Sequence, residues 1–275
     1  MRERTRTRTH AHTQARTHVL AHTTTLMRRC AHSFPRVPAA CWCVLLPPPL
    51  RAAAACGQPQ VRNNNSSRFG KFVTMRFDET NPREPKLIGA EIQTFLLEKS
   101  RVVATTASGE RNYHVFYHVL KGAGMLNSTD AADMRLLSRS GCLTVPRVDD
   151  LEEYHGIVKA LGDVGVESDE VTEICAGIAG ILALGNLEFG DEDNDAHGYV
   201  SDPDTCALAA QLLGSTPAAM ETALLKATLK VSASESYTIE LDPNKAAQGR
   251  DAFCKAVYQR IFDHLVVRVN ASLGE

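Results

Sequence analysis

The chain has 275 residues, 30 basic and 32 acidic side chains and a formal net charge of −2, with 44% hydrophobic and 23% charged residues. That composition excludes a collagenous, an acidic-disordered or a supercharged chain, and the length suits one or two domains of roughly 150 residues each. The near-neutral total hides a division: residues 1–36 carry eight Arg, no Lys and one acid, a net +7, whereas the other 239 residues carry 22 bases and 31 acids, a net −9.

Residues 1–29 use almost only Arg, Thr, His and Ala, and residues 34–59 hold six of the twelve prolines and the run Ala52–Ala55. So little apolar surface cannot offset the entropy of ordering a backbone, so 1–59 is read as a low-complexity, disordered tail. A transit peptide would share the Arg richness but needs amphipathy and Ser, and the apolar run Cys41–Leu46 is too short for a secretory signal before Pro47-Pro48-Pro49 stops it. Cys41 and Cys43 have no second pair at zinc spacing. The alternation of Thr with His and Arg is what a translated dinucleotide repeat yields, so this stretch is not expected to be a genuine terminus. A nucleic-acid-binding arm at 1–36 rests on charge alone and is not expected.

From residue 60 the texture changes. Val73, Met75 and Phe77 alternate with Phe72, Thr74 and Arg76, and Ile88, Ala90, Ile92, Thr94 and Leu96 alternate after the turn signal Asn81–Pro85. Period two on either side of a short Pro-containing loop predicts an antiparallel strand pair. Helices come next. Ser108 is expected to cap one over 110–121 ended by Gly122, and Asp149 or Asp150 one over 151–161 ended by Gly162. Ser168 precedes an apolar helix over 169–184, with Gly185 as its expected stop. Asp202-Pro203 and Thr216-Pro217 are cap-then-proline starts, with Gly214 closing the first. Gly190–Asp195 is an acidic loop without the ligand spacing of a calcium site, and is read as solvated. Residues 228–242 show strand-like alternation between two helices. Phe253, Val257, Ile261, Leu265 and Val269 recur every four residues and predict an amphipathic helix over 243–271.

Cys142, Cys175, Cys206 and Cys254 are scattered singly, which suits a reducing, intracellular compartment. No run reaches ~18 apolar residues, so no membrane span is expected. The fold class is therefore α+β and mainly helical, an antiparallel strand pair followed by a helical subdomain.

The segment richest in polar chemistry is Arg62-Asn63-Asn64-Asn65-Ser66-Ser67-Arg68-Phe69-Gly70-Lys71-Phe72. Amides donate to phosphate oxygens, hydroxyls coordinate a hard cation such as Mg²⁺, and an Arg pairs with a carboxylate. Such a loop suits closure over nucleotide phosphates, although Asn/Ser clusters are more often plain turns.

Asn63 to Phe72 resembles the switch I loop of myosin motor domains. Kinesins share the Ser-Ser-Arg core but continue differently. Gly89–Val103, Gly109–Tyr117, Ser140-Gly141-Cys142, Val148-Asp149-Asp150, Leu182–Phe189 and Ala256–Asp263 come in the order expected of that family, so the likeness covers about 61–273. Pro146-Arg147 departs from a position where the family often has Gly.

The resemblance implies a partial motor of the P-loop NTPase type over 60–275. Asn63 would contact nucleotide phosphates, Asn65 would support the loop, Ser66 would lie near the attacking water and the γ-phosphate, and Ser67 would ligate Mg²⁺. Arg68 would pair with a switch II glutamate. ATP and Mg²⁺ are the implied cofactors. Filamentous actin and the rest of a myosin heavy chain are the implied partners, and the cytoplasmic cytoskeleton the implied place. In myosins the hairpin corresponding to 228–242 lies at the actin interface, which makes Lys230, Glu235 and Tyr237 candidate contacts.

Two nucleotide elements are not in these 275 residues. The Gly-Lys pair Gly70-Lys71 is followed by Phe72, not by the Ser or Thr of a P-loop, and no Asp-x-x-Gly-Phe-Glu string occurs. The expectations are therefore an ATPase family member that does not hydrolyse ATP by itself, an Arg68 without its partner, and strands near 71–77 and 88–97 with open edges. The alternatives are a non-catalytic actin-binding module and a truncated gene model without activity.

Overall fold

The computed structural model describes residues 60, 61, 64, 65, 67–78, 80, 86–103, 109–191, 198–230 and 236–274. The expectations for residues 1–59, for the Asn81–Pro85 turn, for Ser108 and for the acidic loop beyond Asp191 lie outside them. The described residues fall in one compact unit.

Strand β1 (Gln60–Val61) pairs antiparallel with β2 (Asn64–Asn65). Strand β3 (Gly70–Asp78) then pairs antiparallel with β4 (Lys86–Phe95), from Gly70 opposite Phe95 to Asp78 opposite Lys86, with a register shift between Arg76 and Phe77. This is the predicted pair, and it stands as a two-stranded sheet among the described residues. Its faces stay largely uncovered: Phe72, Val73, Met75, Phe77, Leu87 and Ile88 are exposed, and Ile92 is the buried side chain of β4. Among the described residues each strand has a single strand neighbour, and an edge left so is prone to pair with other strands.

Helix α1 (Ser100–Val103) leads towards α2 (His114–Gly122), which is buried along nearly its whole length. The predicted start at 110 is four residues early. Arg111, Asn112 and Tyr113 precede the helix and spend their side chains on other elements, and Tyr113 occupies the cap position without a capping bond. A 3₁₀ turn (Ala131–Asp133) and α3 (Arg135–Ser138) come next. Asn186 accepts from the Arg135 amide at 2.8 Å and donates to the Asp133 carbonyl at 3.0 Å, so a residue far along the chain satisfies a helix end that has no cap of its own.

Helix α4 (Asp150–Asp163) is capped by Asp149, which accepts from the Leu151 and Glu152 amides. Helix α5 (Ser168–Asn186) is the centre of the core, with Ile178, Ile181, Leu182 and Leu184 fully buried. It does not stop at Gly185. That glycine lies inside the helix because a Cβ there would run into the Leu136 side chain of α3. Gly185→Ala is accordingly expected to destabilise the chain by about 1–3 kcal/mol through overpacking against Leu136. Urea unfolding of the variant checks this, and an unchanged midpoint would remove the close-approach explanation.

A short pair, β5 (Phe189–Asp191) with β6 (Gly198–Val200), connects to α6 (Pro203–Leu212) and α7 (Pro217–Leu225). Both helices start as predicted. Asp202 accepts from the Asp204 and Thr205 amides, and Thr216 from Ala219, each with Pro at the first helical turn. Gly214 takes a positive φ of 67° just after α6, the left-handed stop that glycine tolerates. The hairpin β7 (Lys226–Lys230) and β8 (Ser236–Glu240) is also as predicted.

Helix α8 (Pro243–Gly274) closes the structure and is three residues longer than its predicted end. Its buried face runs through Ala246, Arg250, Cys254, Tyr258, Phe262, Leu265 and Val269, not through Phe253, which is exposed. The fourfold repeat of apolar residues starts one position off this face, because Arg250 and Tyr258 carry polar ends and yet belong to the core. Arg250 is buried by donating to the Leu187 carbonyl at 2.6 Å and to Asp251. Near the other end, the Asn270 amide accepts from the Ile92 N–H at 2.7 Å and donates to the Ile92 carbonyl at 2.8 Å, so α8 bonds to the strand pair as another strand would. Cys175, Cys206 and Cys254 are free and buried, and burial pushes all three thiols up, Cys254 to about 12. They behave as small hydrophobes.

Candidate functional site

Within the polar segment 62–68, Asn64-Asn65 form β2, and Ser67 and Arg68 stand just before β3. Asn63 and Ser66 lie outside the described residues. Asn65 lies in β2 opposite Gln60. Ser67 is exposed, Arg68 half-buried. The next two residues after Ser67 are anchored on both sides. Phe69 meets the Phe262 ring of α8 edge-on at 5.1 Å, and the Arg68 carbonyl accepts from the Glu98 amide at 2.9 Å, just beyond the end of the β3–β4 ladder. An exposed hydroxyl therefore stands on a rigid foot.

Arg68 has a partner after all. Its Nε lies 3.6 Å from Glu98 Oε2. The expectation of an unpaired Arg68 rests on the switch II carboxylate alone, whereas the hairpin fold of β3 onto β4 brings another glutamate close. The same Glu98 oxygen receives Arg101 Nε at 3.2 Å, and Arg101 in turn donates to Glu110 at 2.9 Å. Asn112 donates to the Arg101 carbonyl at 3.1 Å, and the Tyr113 hydroxyl to the Glu98 carbonyl at 3.0 Å. Tyr113 stacks on Tyr258 of α8 at 5.1 Å. Sequence reasoning missed the role of Glu98 and Arg101. Their i, i+3 spacing of opposite charges is the signal that could have found it.

Behind this chain lies a second, buried network. Arg111, with no exposed surface, donates to both oxygens of Asp150 at 3.0 and 2.6 Å and to the Leu143 carbonyl at 2.6 Å. Its guanidinium lies 3.7 Å over the Tyr117 ring. His118 Nδ1 is 3.0 Å from Asp150 Oδ1, and the His114 and His118 rings stack at 5.8 Å. Burial would raise the Asp150 pKa, but the bonds from His118 and Arg111 and their charges outweigh it and hold the carboxyl at about 2.

The donor chemistry of the loop suits a phosphate ligand with a hard cation: Ser67 offers an exposed hydroxyl, and Arg68 Nε is a donor without a hydrogen-bond partner among the described residues. Among the described residues no group of three or more His, Cys, Asp or Glu could hold a metal by itself, and no described helix is long and apolar enough to cross a membrane.

The second predicted group is on a separate element. Lys230 ends β7 opposite Ser236, Glu235 lies outside the described residues, and Tyr237 stands in β8 opposite Leu229, both exposed at 53% and 52%. The hairpin's base is tied by the Leu241 amide donating to the Leu225 carbonyl at 2.8 Å and by a Lys226–Glu240 ion pair at 3.2 Å.

A sequence-family profile described as myosin head (motor domain) matches residues 53–275. Myosin-3 of Arabidopsis thaliana is 38% identical over 219 residues, covering 78% of this chain and 18% of that protein. The Myosin-K heavy chain of Dictyostelium discoideum is 38% identical over 221 residues, covering 78% and 25%, and the Myosin-I heavy chain of the same organism 37% over 221, covering 78% and 9%. The chain thus spans a quarter or less of the length of these relatives.

Proposed function

Because the chain belongs to the myosin head (motor domain) family, we propose that it supplies the switch I loop and the actin-side helical body of an ATP-driven, actin-based motor. The observation that carries this is the string Asn63–Phe72 inside the family match over 53–275, with Ser67 exposed on a foot held by Phe69 and Glu98. In this reading residues 60–275 are the motor part and 1–59 a low-complexity segment outside it. Asn63, Asn65, Ser66 and Ser67 would hold the phosphates, with the Ser67 hydroxyl on Mg²⁺, and Arg68 would close the loop against a carboxylate. Mg·ATP supplies the phosphoryl group whose transfer to water drives such motors, and the protein's part in that chemistry is mostly positioning and charge stabilisation.

The P-loop and switch II of the P-loop NTPase core come, in this reading, from other residues of the heavy chain. Lys230, Glu235 and Tyr237 on the hairpin meet filamentous actin, so the cytoskeleton is the place of action. The purified 275-residue chain is expected to release no phosphate above buffer in a single turnover with Mg·ATP, and to co-sediment with filamentous actin in a salt-sensitive way. A myosin-like rate from this chain alone would overturn the shared active site. Loss of actin binding in Tyr237→Ala supports the hairpin contact, and unchanged binding removes it. The exposed Leu229 and Tyr237 favour a second reading, a non-catalytic actin-binding module. Actin binding that ignores Mg·ATP at every concentration would favour it.

A further inference from the structure

The loop's Arg68 faces a carboxylate that also serves a second arginine. We propose that Glu98 is a positioning residue that parks Arg68 away from its closing partner and so regulates when the loop closes; this rests on the switch I reading. The Arg68–Glu98 contact is loose. At 3.6 Å it is longer than a hydrogen bond, and Arg68 Nε is buried without a hydrogen-bond partner among the described residues. A bidentate Arg–carboxylate fork would be shorter and stronger. At Nε, Arg68 is therefore held by charge attraction, and among the described residues it gives up no hydrogen bond there when it leaves.

Glu98, by contrast, cannot follow it. Its N–H donates to the Arg68 carbonyl at 2.9 Å and its carbonyl accepts from Tyr113 at 3.0 Å, so its backbone is tied to the loop and to the core. Its Oε2 also takes Arg101 Nε at 3.2 Å. Arg101 is 7% exposed and is held by Glu110 at 2.9 Å and by the Arg111 carbonyl at 3.4 Å. When Arg68 departs, Arg101 still neutralises Glu98, so no uncompensated charge is left behind, which is the usual penalty for opening a partly buried pair. Two cations on one oxygen also weaken each other's hold. The geometry is that of a release catch: a carboxylate fixed and still neutralised by Arg101, and a more loosely held Arg68.

The test is side-chain NMR on the ¹⁵N-labelled chain, with the Arg68 Nε–Hε signal assigned by its loss in Arg68→Lys. Glu98→Gln is expected to move that signal to the position of an exposed arginine and to speed its solvent exchange by about tenfold or more, while Glu98→Asp restores part of the shift. The Asn270 side-chain signals, which report the α8–β4 junction, should not move. An unmoved Arg68 signal in a folded Glu98→Gln variant overturns the proposal. Should that variant not fold, a salt titration of the unaltered chain from about 0.1 to about 1 M decides. Screening is expected to release Arg68, and an indifferent Arg68 signal overturns the pairing.

A parked arginine also reduces the apparent affinity for the ligand that needs it. Glu98→Gln should therefore lower the Mg·ATP concentration that shifts the Ser67 amide, by about threefold or more. A concentration that is unchanged or higher, with Arg68 freed, overturns the regulatory part. A Ser67 amide that never responds to Mg·ATP, in either form, sinks the switch I reading instead, and the Arg68 response then stands apart from it.

Discussion

Asp150→Ala is expected to lower the unfolding free energy by about 3–5 kcal/mol, the size seen when one partner of a buried ion pair is removed. Arg111 has no exposed surface and spends two of its donors on the Asp150 oxygens. Without them the guanidinium keeps the Leu143 carbonyl and the Tyr117 ring face, neither of which carries a full negative charge. Asp150 also opens α4, where a carboxylate meets the positive end of the helix dipole. The Asp149 cap is a separate bond and survives the change. Asp150→Asn should be milder than Ala, because an amide oxygen still accepts one of the two bonds. Replacing Arg111 and Asp150 together by Met and Leu should cost less than Asp150→Ala, since no charge is then left alone. Urea unfolding of the three variants measures this. Were the double variant the least stable, the penalty would lie in packing and not in an orphaned charge.

The chain should lose stability as pH falls below neutrality, well before its carboxylates protonate. His114 is pushed down from 6.5 to about 3, first by burial and then by the charges of His118 and Arg111, with Asp150 opposing them. The folded state keeps this imidazole neutral while the unfolded chain takes up a proton below 6.5. The contribution is therefore complete above that pH and is lost as pH falls towards about 3, by about 1.4 kcal/mol per unit. Asp150 adds a second, lower window. Held at about 2 against an ordinary 3.8, its contribution is present above 3.8 and lost as pH falls through about 2. Urea midpoints at about pH 7.5, 6, 5 and 4 follow the upper window, and His114→Asn should flatten it. A midpoint that stays level from pH 7.5 to 4 in the unaltered chain would show that His114 is not held neutral.

Most elements are legible because their signals are local. A cap needs only a side chain and the amides two or three residues on, and Asp149, Asp202 and Thr216 all cap as expected. Alternation of period two locates β3 and β4 and the hairpin β7–β8. The family string from Asn63 is legible for another reason, the sheer specificity of ten consecutive residues. The misread features depend on what another part of the chain brings alongside. Gly185 looks like a helix stop until Leu136 is packed on it. The helix expected from 110 begins only at His114, because Arg111, Asn112 and Tyr113 find partners on Asp150, Arg101 and Glu98.

By itself the sequence determined the family, the strand pair β3–β4, the longer helices and the hairpin β7–β8. Each of these is written in neighbouring residues, in short periods and in an unbroken motif. Only the tertiary structure decided which charged groups are buried and with whom. Arg111 finds Asp150, 39 positions on, and Arg250 finds the Leu187 carbonyl, 63 positions back. Arg68, expected to stand alone, faces Glu98 because β3 folds back on β4 and carries it there. Coulomb energy and desolvation depend on distance and burial in space, and neither is a property of a position in the chain.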